Sequence, residues 1–279
     1  MKSNLDYTPY LDQVRGLYPM PQIMAKLSRS LKDPNADIDE MEELIASDTT
    51  LVSSILRLCN SSFFGFSDNC SNLSEAIQRL GFREIVRLIG VCAAAEAYEK
   101  ELKRYRIPPE VFWESGIAAA LLMERLAKQT GLDSEEAYIC GLMREIGMLV
   151  IDRLLVGEKL DGCWDNLLPV RDWETERCGF EHSKVGSALL QRWGFSTGVQ
   201  EAVANQYYDD SSLEVEEMDL GILLRLSNRI LDRCGCDFSV APDSFDCFYA
   251  EAARLSLEPE QFETVISDAA DNFERLRSV

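Results

Sequence analysis

The chain has very little histidine: His182 is the single histidine among its 279 residues. Borderline transition metals bind well to imidazole nitrogen, and a catalytic zinc site takes about three protein ligands plus an open position. A site that needs several imidazoles therefore cannot be built from this chain. We expect no metal ion, no other cofactor and no catalytic residue.

Long apolar runs and secretory signals are also missing. The longest apolar stretch lies near Ile117–Met123, and it is far shorter than the roughly 20 apolar residues that span a bilayer. The N-terminal residues Met1–Asp6 contain no apolar segment of a signal peptide. We therefore predict a cytoplasmic protein that does not insert into membranes.

Basic residues are few relative to acidic ones. The chain has 28 Lys and Arg side chains against 48 Asp and Glu side chains, a formal net charge of -20. Such a chain repels phosphate backbones and anionic lipid surfaces, so nucleic acid is not an expected partner. The basic stretch Lys100–Arg106 is a local exception that we interpret as a solvated helix end.

The nine cysteines show no metal-binding pattern, because no Cys-x-x-Cys pair and no Cys/His cluster occurs. Without a signal peptide, we expect reduced thiols. Cys59, Cys92 and Cys140 lie among apolar residues and are predicted to be small core groups. Cys234 and Cys236 are the closest pair in the sequence, and a loop after a helix is favoured over metal or redox use.

Strand patterns are absent as well, since no segment alternates apolar and polar residues convincingly over six positions. Apolar residues instead recur at helical spacing, as in Ile85, Leu88, Ile89 and Cys92. This spacing buries one face of a helix. The fold class is therefore predicted to be all-α.

Helix ends can be predicted from capping residues. Pro21 fits the first turn of a helix, where its missing N–H costs nothing. Asp37, three residues before Glu40, is typical of a helix start. Ser183 is predicted to cap a later helix.

Two further helices are predicted from the same signals. Ser71 or Ser74 caps a helix over Glu75–Leu80, and Gly81 ends it. A single long helix begins near Asp133 and ends before Gly157.

Ile107–Pro109 is the strongest internal break, because a residue that precedes proline is pushed out of helical geometry. We place a lobe boundary here, with an N-terminal helical lobe over 1–106 and a second helical lobe over 107–279. Within the second lobe we expect the acidic stretch 209–217 to be a loop or the entry to a helix, and we expect a closing helix over 259–276.

Two groups of motifs carry a family resemblance. The first group is Leu17–Pro21, Ile45–Asp48, Leu56–Gly65 and Ala76–Gly81. The second group is Gly141–Gly147, Glu181–Gly186 and Arg192–Phe195. In order and spacing these motifs resemble the HDOD family, the HD-related output domains of bacterial signalling proteins, from about residue 15 to about residue 210.

The resemblance implies a two-lobed, all-α bundle whose second lobe is related to the HD and HD-GYP phosphohydrolases. It also implies a bacterial signalling role, and family members commonly lack metal-dependent activity. It assigns structural roles to seven signature residues. They are Pro21, Asp48, Asn60, Ser61, Phe64, Gly65 and Gly81.

The metal-binding positions of HD hydrolases are substituted in this chain. By resemblance, the early histidine corresponds to Ser115, and the His-Asp pair corresponds to Arg144 and Glu145. A downstream histidine pair corresponds approximately to Gln206 and Tyr207. His182 is retained where the family has an imidazole. These six residues define a vestigial pocket that could bind a ligand.

Arg144 and His182 each have two interpretations. The Arg144 guanidinium could bind a phosphate or carboxylate ligand bidentately, or it could form an internal salt bridge with Glu145, Glu114 or Glu181, which we favour. His182 could act in catalysis, but a cap or structural hydrogen bond at the start of a helix is favoured.

The sequence therefore favours a non-catalytic regulatory module that binds a partner protein or a small ligand. The alternatives are a residual metal-dependent phosphohydrolase and a dimerising structural adaptor, and a homodimer is possible in any of these cases.

Overall fold

The computed structural model describes residues 5–18, 20–61, 64, 66, 68–98, 102–165, 167–207, 219–233, 263–268 and 271. Within these ranges the only β geometry is an isolated antiparallel bridge between Leu102 and Ile107. The all-α prediction is therefore confirmed. The helices are α1 (Thr8–Leu17), α2 (Met20–Ser30), α3 (Ile38–Ala46), α4 (Thr49–Cys59), α5 (Leu73–Leu80), α6 (Phe82–Tyr98), α7 (Pro109–Thr130), α8 (Ser134–Met143), α9 (Gly147–Gly157), α10 (Val170–Arg177), α11 (His182–Trp193), α12 (Thr197–Ala204) and α13 (Leu220–Arg233).

Aspartate caps begin three of these helices. The carboxylates of Asp37, Asp48 and Asp133 accept backbone N–H groups in the first turns of α3, α4 and α8. Each cap satisfies donors that have no partner within the helix. Pro21 lies in the first turn of α2, and Gly81 follows α5 with a φ of 81°.

Two predicted caps are wrong. Asn72, rather than Ser71 or Ser74, caps α5 by accepting the backbone N–H of Glu75 at 2.9 Å. Ser183 lies inside α11, whose N-cap residue Glu181 makes no side-chain capping bond. Serine is a common cap but also occurs in first turns, so a serine near a helix start does not identify the cap.

The predicted long helix before Gly157 is also wrong, because it is two helices. α8 ends at Met143, α9 begins at Gly147, and the turn Arg144–Ile146 joins them. Both sides of this turn are apolar and buried, so the hydrophobic pattern continues through the break and hides it. The turn carries Arg144 and Glu145, two residues of the predicted vestigial pocket.

Two glycines let neighbouring helices approach this turn closely. A Cβ on Gly141 would lie 2.5 Å from the carbonyl oxygen of Ala119 in α7. A Cβ on Gly147 would lie 2.0 Å from the carbonyl oxygen of His182 in α11. Both distances are shorter than any Cβ contact, so α7 and α11 can pack here only against glycine.

One apolar core extends from Leu11 in α1 to Leu231 in α13. α6 packs against α2, α4 and α5 on one side and against α7 and α8 on the other. α1 packs against α9 and α11, and α13 packs against α7, α8 and α12. Cys59, Cys92 and Cys140 are buried in this core, as predicted. The lobe boundary at residue 107 stays a prediction.

Several predicted features lie outside the described residues. They are Gly65, the acidic stretch 209–217, Cys234 with Cys236, and most of the closing helix, of which 263–268 is helical. Among the residues that are described, no helix combines the length and apolarity that crossing a bilayer requires.

Candidate functional site

The turn between α8 and α9 places two charged residues in the protein interior. Arg144 is 0% exposed and Glu145 is 2% exposed. Burying a charge is costly unless the charge is paired and its hydrogen-bonding groups are satisfied. The surroundings of these two side chains must therefore supply opposite charge and polar partners.

The guanidinium of Arg144 is held by side chains from two other helices. Its Nη2 donates to Ser115 Oγ of α7 at 2.6 Å, and its Nη1 donates to Asn228 Oδ1 of α13 at 2.9 Å. The same Nη1 lies 3.0 Å from Glu145 Oε1. An internal salt bridge to Glu145 is thus formed, the interpretation that the sequence favoured for this arginine.

Gln206 closes a ring of polar contacts around Arg144. Its Nε2 donates to the backbone oxygen of Arg144 at 2.8 Å. Its Oε1 accepts a bond from Nδ2 of Asn228 at 3.2 Å. The amides of Gln206 and Asn228 therefore bind the backbone and the guanidinium of one residue, which fixes α13 against the turn.

His182 lies between two carboxylates. Its Nδ1 is 2.8 Å from Glu174 Oε2, and its Nε2 is 2.7 Å from Glu145 Oε2. The backbone N–H of His182 also donates to Glu174 Oε2, at 2.8 Å. Burial by itself lowers the pKa of His182, but attraction to Glu174 and then Glu145 outweighs it and raises the pKa to about 10.

Glu145 is correspondingly stabilised as an anion. Burial would raise its pKa, but the charges of His182 and Arg144, with the hydrogen bonds from His182 and Tyr207, lower the pKa to about 2. The Tyr207 hydroxyl donates to Glu145 Oε1 at 2.9 Å. Glu145 therefore stays ionised at any physiological pH.

Two tyrosines surround the pair formed by Glu174 and His182. The Tyr105 hydroxyl donates to Glu174 Oε1 at 2.6 Å, and burial raises the pKa of this phenol well above its ordinary value. The ring of Tyr207 meets the His182 ring edge-on at 5.4 Å and stacks beneath the guanidinium of Arg171 at 4.9 Å.

The charges of the four ionic side chains at this site sum to zero. With His182 protonated, the site contains two cations, Arg144 and His182, and two carboxylates, Glu145 and Glu174. Each cation contacts at least one carboxylate directly. We call these four residues, with Ser115, Gln206, Tyr207, Asn228 and Tyr105, the ionic network.

All six residues predicted to form the vestigial pocket belong to the ionic network. Sequence reasoning missed three members: Tyr105, Glu174 and Asn228. A signal existed for two of them. Glu174 follows Val170 by four residues on the buried face of α10, and Asn228 lies among the leucines of α13, so each is a polar residue at a core position.

The signature residues near α4 form a separate structural cluster. Asn60 Oδ1 accepts the backbone N–H of Cys70 at 2.7 Å, and its Nδ2 donates to the Cys70 oxygen at 3.0 Å. Ser61 follows in the same turn, and Phe64 stacks on Phe66 at 6.1 Å. The structural roles that the resemblance implies for the seven signature residues stay predictions.

The donors of the ionic network do not fit a divalent metal ion. Arg144 offers a permanent positive charge and no lone pair. Both ring nitrogens of His182 face carboxylates, and a protonated imidazole has no lone pair to give. Within the described residues, no group of three or more His, Cys, Asp or Glu side chains is arranged to hold a metal ion.

The fold and the network define an all-helical protein with an HD-related core. The sequence profile of the HDOD domain matches residues 17–208. The chain therefore belongs to the HDOD family, a relative of metal-dependent phosphohydrolases, as the motifs predicted.

The chain is also similar to individual proteins. An uncharacterised protein of Treponema pallidum (strain Nichols) is 26% identical over 192 residues, which is 65% of this chain but only 36% of that relative's own length. An HDOD domain protein of unknown function from Geobacter sulfurreducens matches with a TM-score of 0.70 and 18% identity, over 98% of this chain and 97% of that one. A proposed phosphohydrolase from Shewanella amazonensis SB2B matches with a TM-score of 0.62 and 20% identity, over 95% and 94%. At these identities the structures show the fold alone.

Proposed function

We propose that this chain is a non-catalytic regulatory module of the HDOD type, in which an ion-pair network has replaced the metal site. The observation that carries the proposal is the position of Arg144. Its guanidinium is 0% exposed and is bound by Ser115, Asn228 and Glu145. By resemblance, Arg144 corresponds to a metal-binding histidine of the hydrolases.

A permanent cation at this position opposes metal catalysis. It repels a divalent ion, and it already occupies the carboxylate of Glu145. The second carboxylate, Glu174, is occupied by His182 and Tyr105. Metal binding would have to break several buried hydrogen bonds and leave Arg144 without its counterion, which is strongly unfavourable.

The same geometry disfavours Arg144 as a ligand-binding residue. A ligand phosphate would compete with three internal partners for a guanidinium that has no solvent exposure. We therefore propose that the former pocket is retained as a structural core, and that the partner protein or small ligand binds elsewhere on the surface. Thermal-shift measurements with nucleotides and cyclic dinucleotides test the small-ligand branch.

The decisive experiment compares the wild-type chain with a variant that restores the hydrolase residues: Ser115→His, Arg144→His and Glu145→Asp. Both proteins are assayed for bound metal and for hydrolysis of bis-p-nitrophenyl phosphate with added Mn²⁺. We expect neither metal nor turnover in the wild type. If the wild type instead binds stoichiometric metal and shows turnover that Glu145→Gln abolishes, the alternative of a metal-dependent phosphohydrolase is established.

That alternative has one observation in its favour, since proteins from Shewanella amazonensis SB2B with the same fold are named as proposed phosphohydrolases. The dimerising adaptor is the remaining alternative. Sedimentation velocity over a range of concentrations tests it, because a homodimer would shift reversibly to monomer on dilution.

A further inference from the structure

Two cysteines that are 11 positions apart in the sequence lie next to each other in the core. Cys59 is the last residue of α4, and Cys70 precedes the Asn72 cap of α5. Their Sγ atoms are 3.1 Å apart, and the residues are 0% and 4% exposed. Both are free thiols in the structure.

Asn60 fixes the position of this pair. Its side-chain amide makes two hydrogen bonds to the backbone of Cys70, at 2.7 Å and 3.0 Å, and its own backbone directly follows Cys59. The two thiols are therefore held face to face by a neighbouring side chain. A disulfide has an S–S bond of about 2.05 Å, so joining them requires an approach of about 1 Å.

We propose that Cys59 and Cys70 form a reversible dithiol–disulfide pair that is oxidised by low-molecular-weight disulfides. In the first step a thiolate of the pair attacks the external disulfide, forms a mixed disulfide and releases one external thiolate. In the second step the other cysteine attacks the mixed disulfide at the protein sulfur and releases the second external thiol. The protein loses two protons and two electrons, and one external disulfide becomes two thiols.

A disulfide between Cys59 and Cys70 would join the end of α4 to the start of α5 covalently. The segment between the two cysteines contains about half of the family motif Leu56–Gly65. The reaction must be slow, because both thiols are buried and are reached by an external disulfide only when the core opens locally. Burial also raises the pKa of the Cys59 thiol to about 12. Slow exchange limits the rate and not the equilibrium, which depends on how closely the native chain holds the two sulfurs.

The test measures the equilibrium directly in the full chain. Wild-type protein is incubated in buffers of reduced and oxidised glutathione, starting from the dithiol and from the oxidised form until the two agree. The samples are then acid-quenched, blocked with N-ethylmaleimide under denaturing conditions and digested with trypsin. Because no Lys or Arg occurs between Arg57 and Arg79, both cysteines remain in the peptide 58–79. The reduced peptide carries two N-ethylmaleimide groups, whereas the oxidised peptide carries none and is two hydrogen atoms lighter than the unmodified dithiol.

Cys92 provides a matched internal control. It is buried on α6, and burial raises its pKa to about 12 as well. We expect the 58–79 peptide to carry an internal disulfide while the Cys92 peptide stays a thiol. The equilibrium constant should be about tenfold or more larger in the native chain than in guanidinium chloride, because folding brings the two sulfurs together.

Asn60→Ala tests the source of the proximity. Loss of its two hydrogen bonds should lower the native equilibrium constant about fivefold or more. A 58–79 peptide that stays a dithiol would overturn the proposal. So would a result in which the 58–79 peptide and the Cys92 peptide both carry glutathione. An equal equilibrium constant in native and denatured wild type would overturn it too, and that comparison needs no variant to fold.

Discussion

At the scale of single residues, the ionic network is a balanced set of charges, and each member depends on the others. Removing one partner of a buried ion pair leaves the other charge without compensation, which costs far more than an exposed pair contributes. Glu174 accepts hydrogen bonds from the Tyr105 hydroxyl and from the backbone N–H of His182, and it pairs with the His182 ring.

We expect Glu174→Gln to lower the free energy of unfolding by about 3–5 kcal/mol, because His182 loses one of its two counterions in the core. The matched control is Glu176→Gln, the same chemical change at an exposed position of the same helix. Urea unfolding followed by circular dichroism measures both. Equal midpoints for the two variants would show that Glu174 is not a counterion that the fold needs.

The single histidine makes the charge state of the network directly measurable. With the pKa of His182 raised to about 10 from an ordinary value of 6.5, its stabilising charge is fully present below about pH 6.5. It is lost as the pH rises through about 10. The one imidazole signal in the carbon–proton NMR spectrum should therefore titrate near pH 10, and the free energy of unfolding should fall across that window.

His182→Gln is the control for this pH dependence, since it removes the titrating group and should flatten the decline between pH 6.5 and 10. Glu145 sets the opposite limit. Its pKa of about 2 lies below the ordinary 4.5, so its contribution is present above pH 4.5 and is lost as the pH falls through about 2. An imidazole signal that titrates near pH 6.5 would contradict the ion-pair assignment.

Part of the site could be predicted from the sequence, namely the residues whose positions the family resemblance marks. The motifs located Ser115, Arg144, Glu145, His182, Gln206 and Tyr207, because family spacing marks those positions. They could not supply Glu174 or Asn228, which lie outside the motifs and become partners only once α10 and α13 pack. Which carboxylate neutralises a buried cation is decided by tertiary packing.

At the scale of elements, the turn between α8 and α9 is what gives the site its position. Hydrophobic periodicity predicts helices well, yet it does not detect this turn, because buried apolar residues lie on both sides of Arg144 and Glu145. The glycines at both ends were the available signal. Gly141 and Gly147 would place a Cβ within 2.5 Å and 2.0 Å of backbone oxygens on α7 and α11.

Gly147→Ala should therefore destabilise the fold by at least about 3 kcal/mol, because the new methyl group meets the backbone of His182 rather than a side chain that could move. Gly16→Ala is the control, since Gly16 is an exposed position of α1 and a Cβ there meets nothing within 4 Å. Removing that glycine should leave stability unchanged or raise it by up to about 1 kcal/mol. Thermal unfolding of both variants measures the difference, and a neutral Gly147→Ala would refute the close approach of α9 and α11.

At the scale of the whole molecule, the structural unit is larger than the family match. The HDOD profile ends at residue 208, but α13 continues the same core and supplies Asn228 to Arg144. Beyond it, Val265 is buried, and Asp268 pairs with Arg125 of α7. A family profile ends where the sequences of its members stop being similar. The folded core ends only where its apolar surface is covered, so the end of the profile and the end of the core need not coincide.

We expect a chain that ends at Tyr208 to lose cooperative folding. It would expose the faces of α7, α8 and α12 that α13 covers, and it would leave the Arg144 guanidinium without the oxygen of Asn228. A chain that ends at Arg233 is the control, because it keeps α13. Among the described residues it loses the packing of Val265 and Ile266 and the pair formed by Asp268. It should unfold in a single transition at a lower midpoint than the full chain. Differential scanning calorimetry with near-ultraviolet circular dichroism measures both. If the chain that ends at Tyr208 unfolds as cooperatively as the one that ends at Arg233, then α13 is an appendage and the ionic network does not require it.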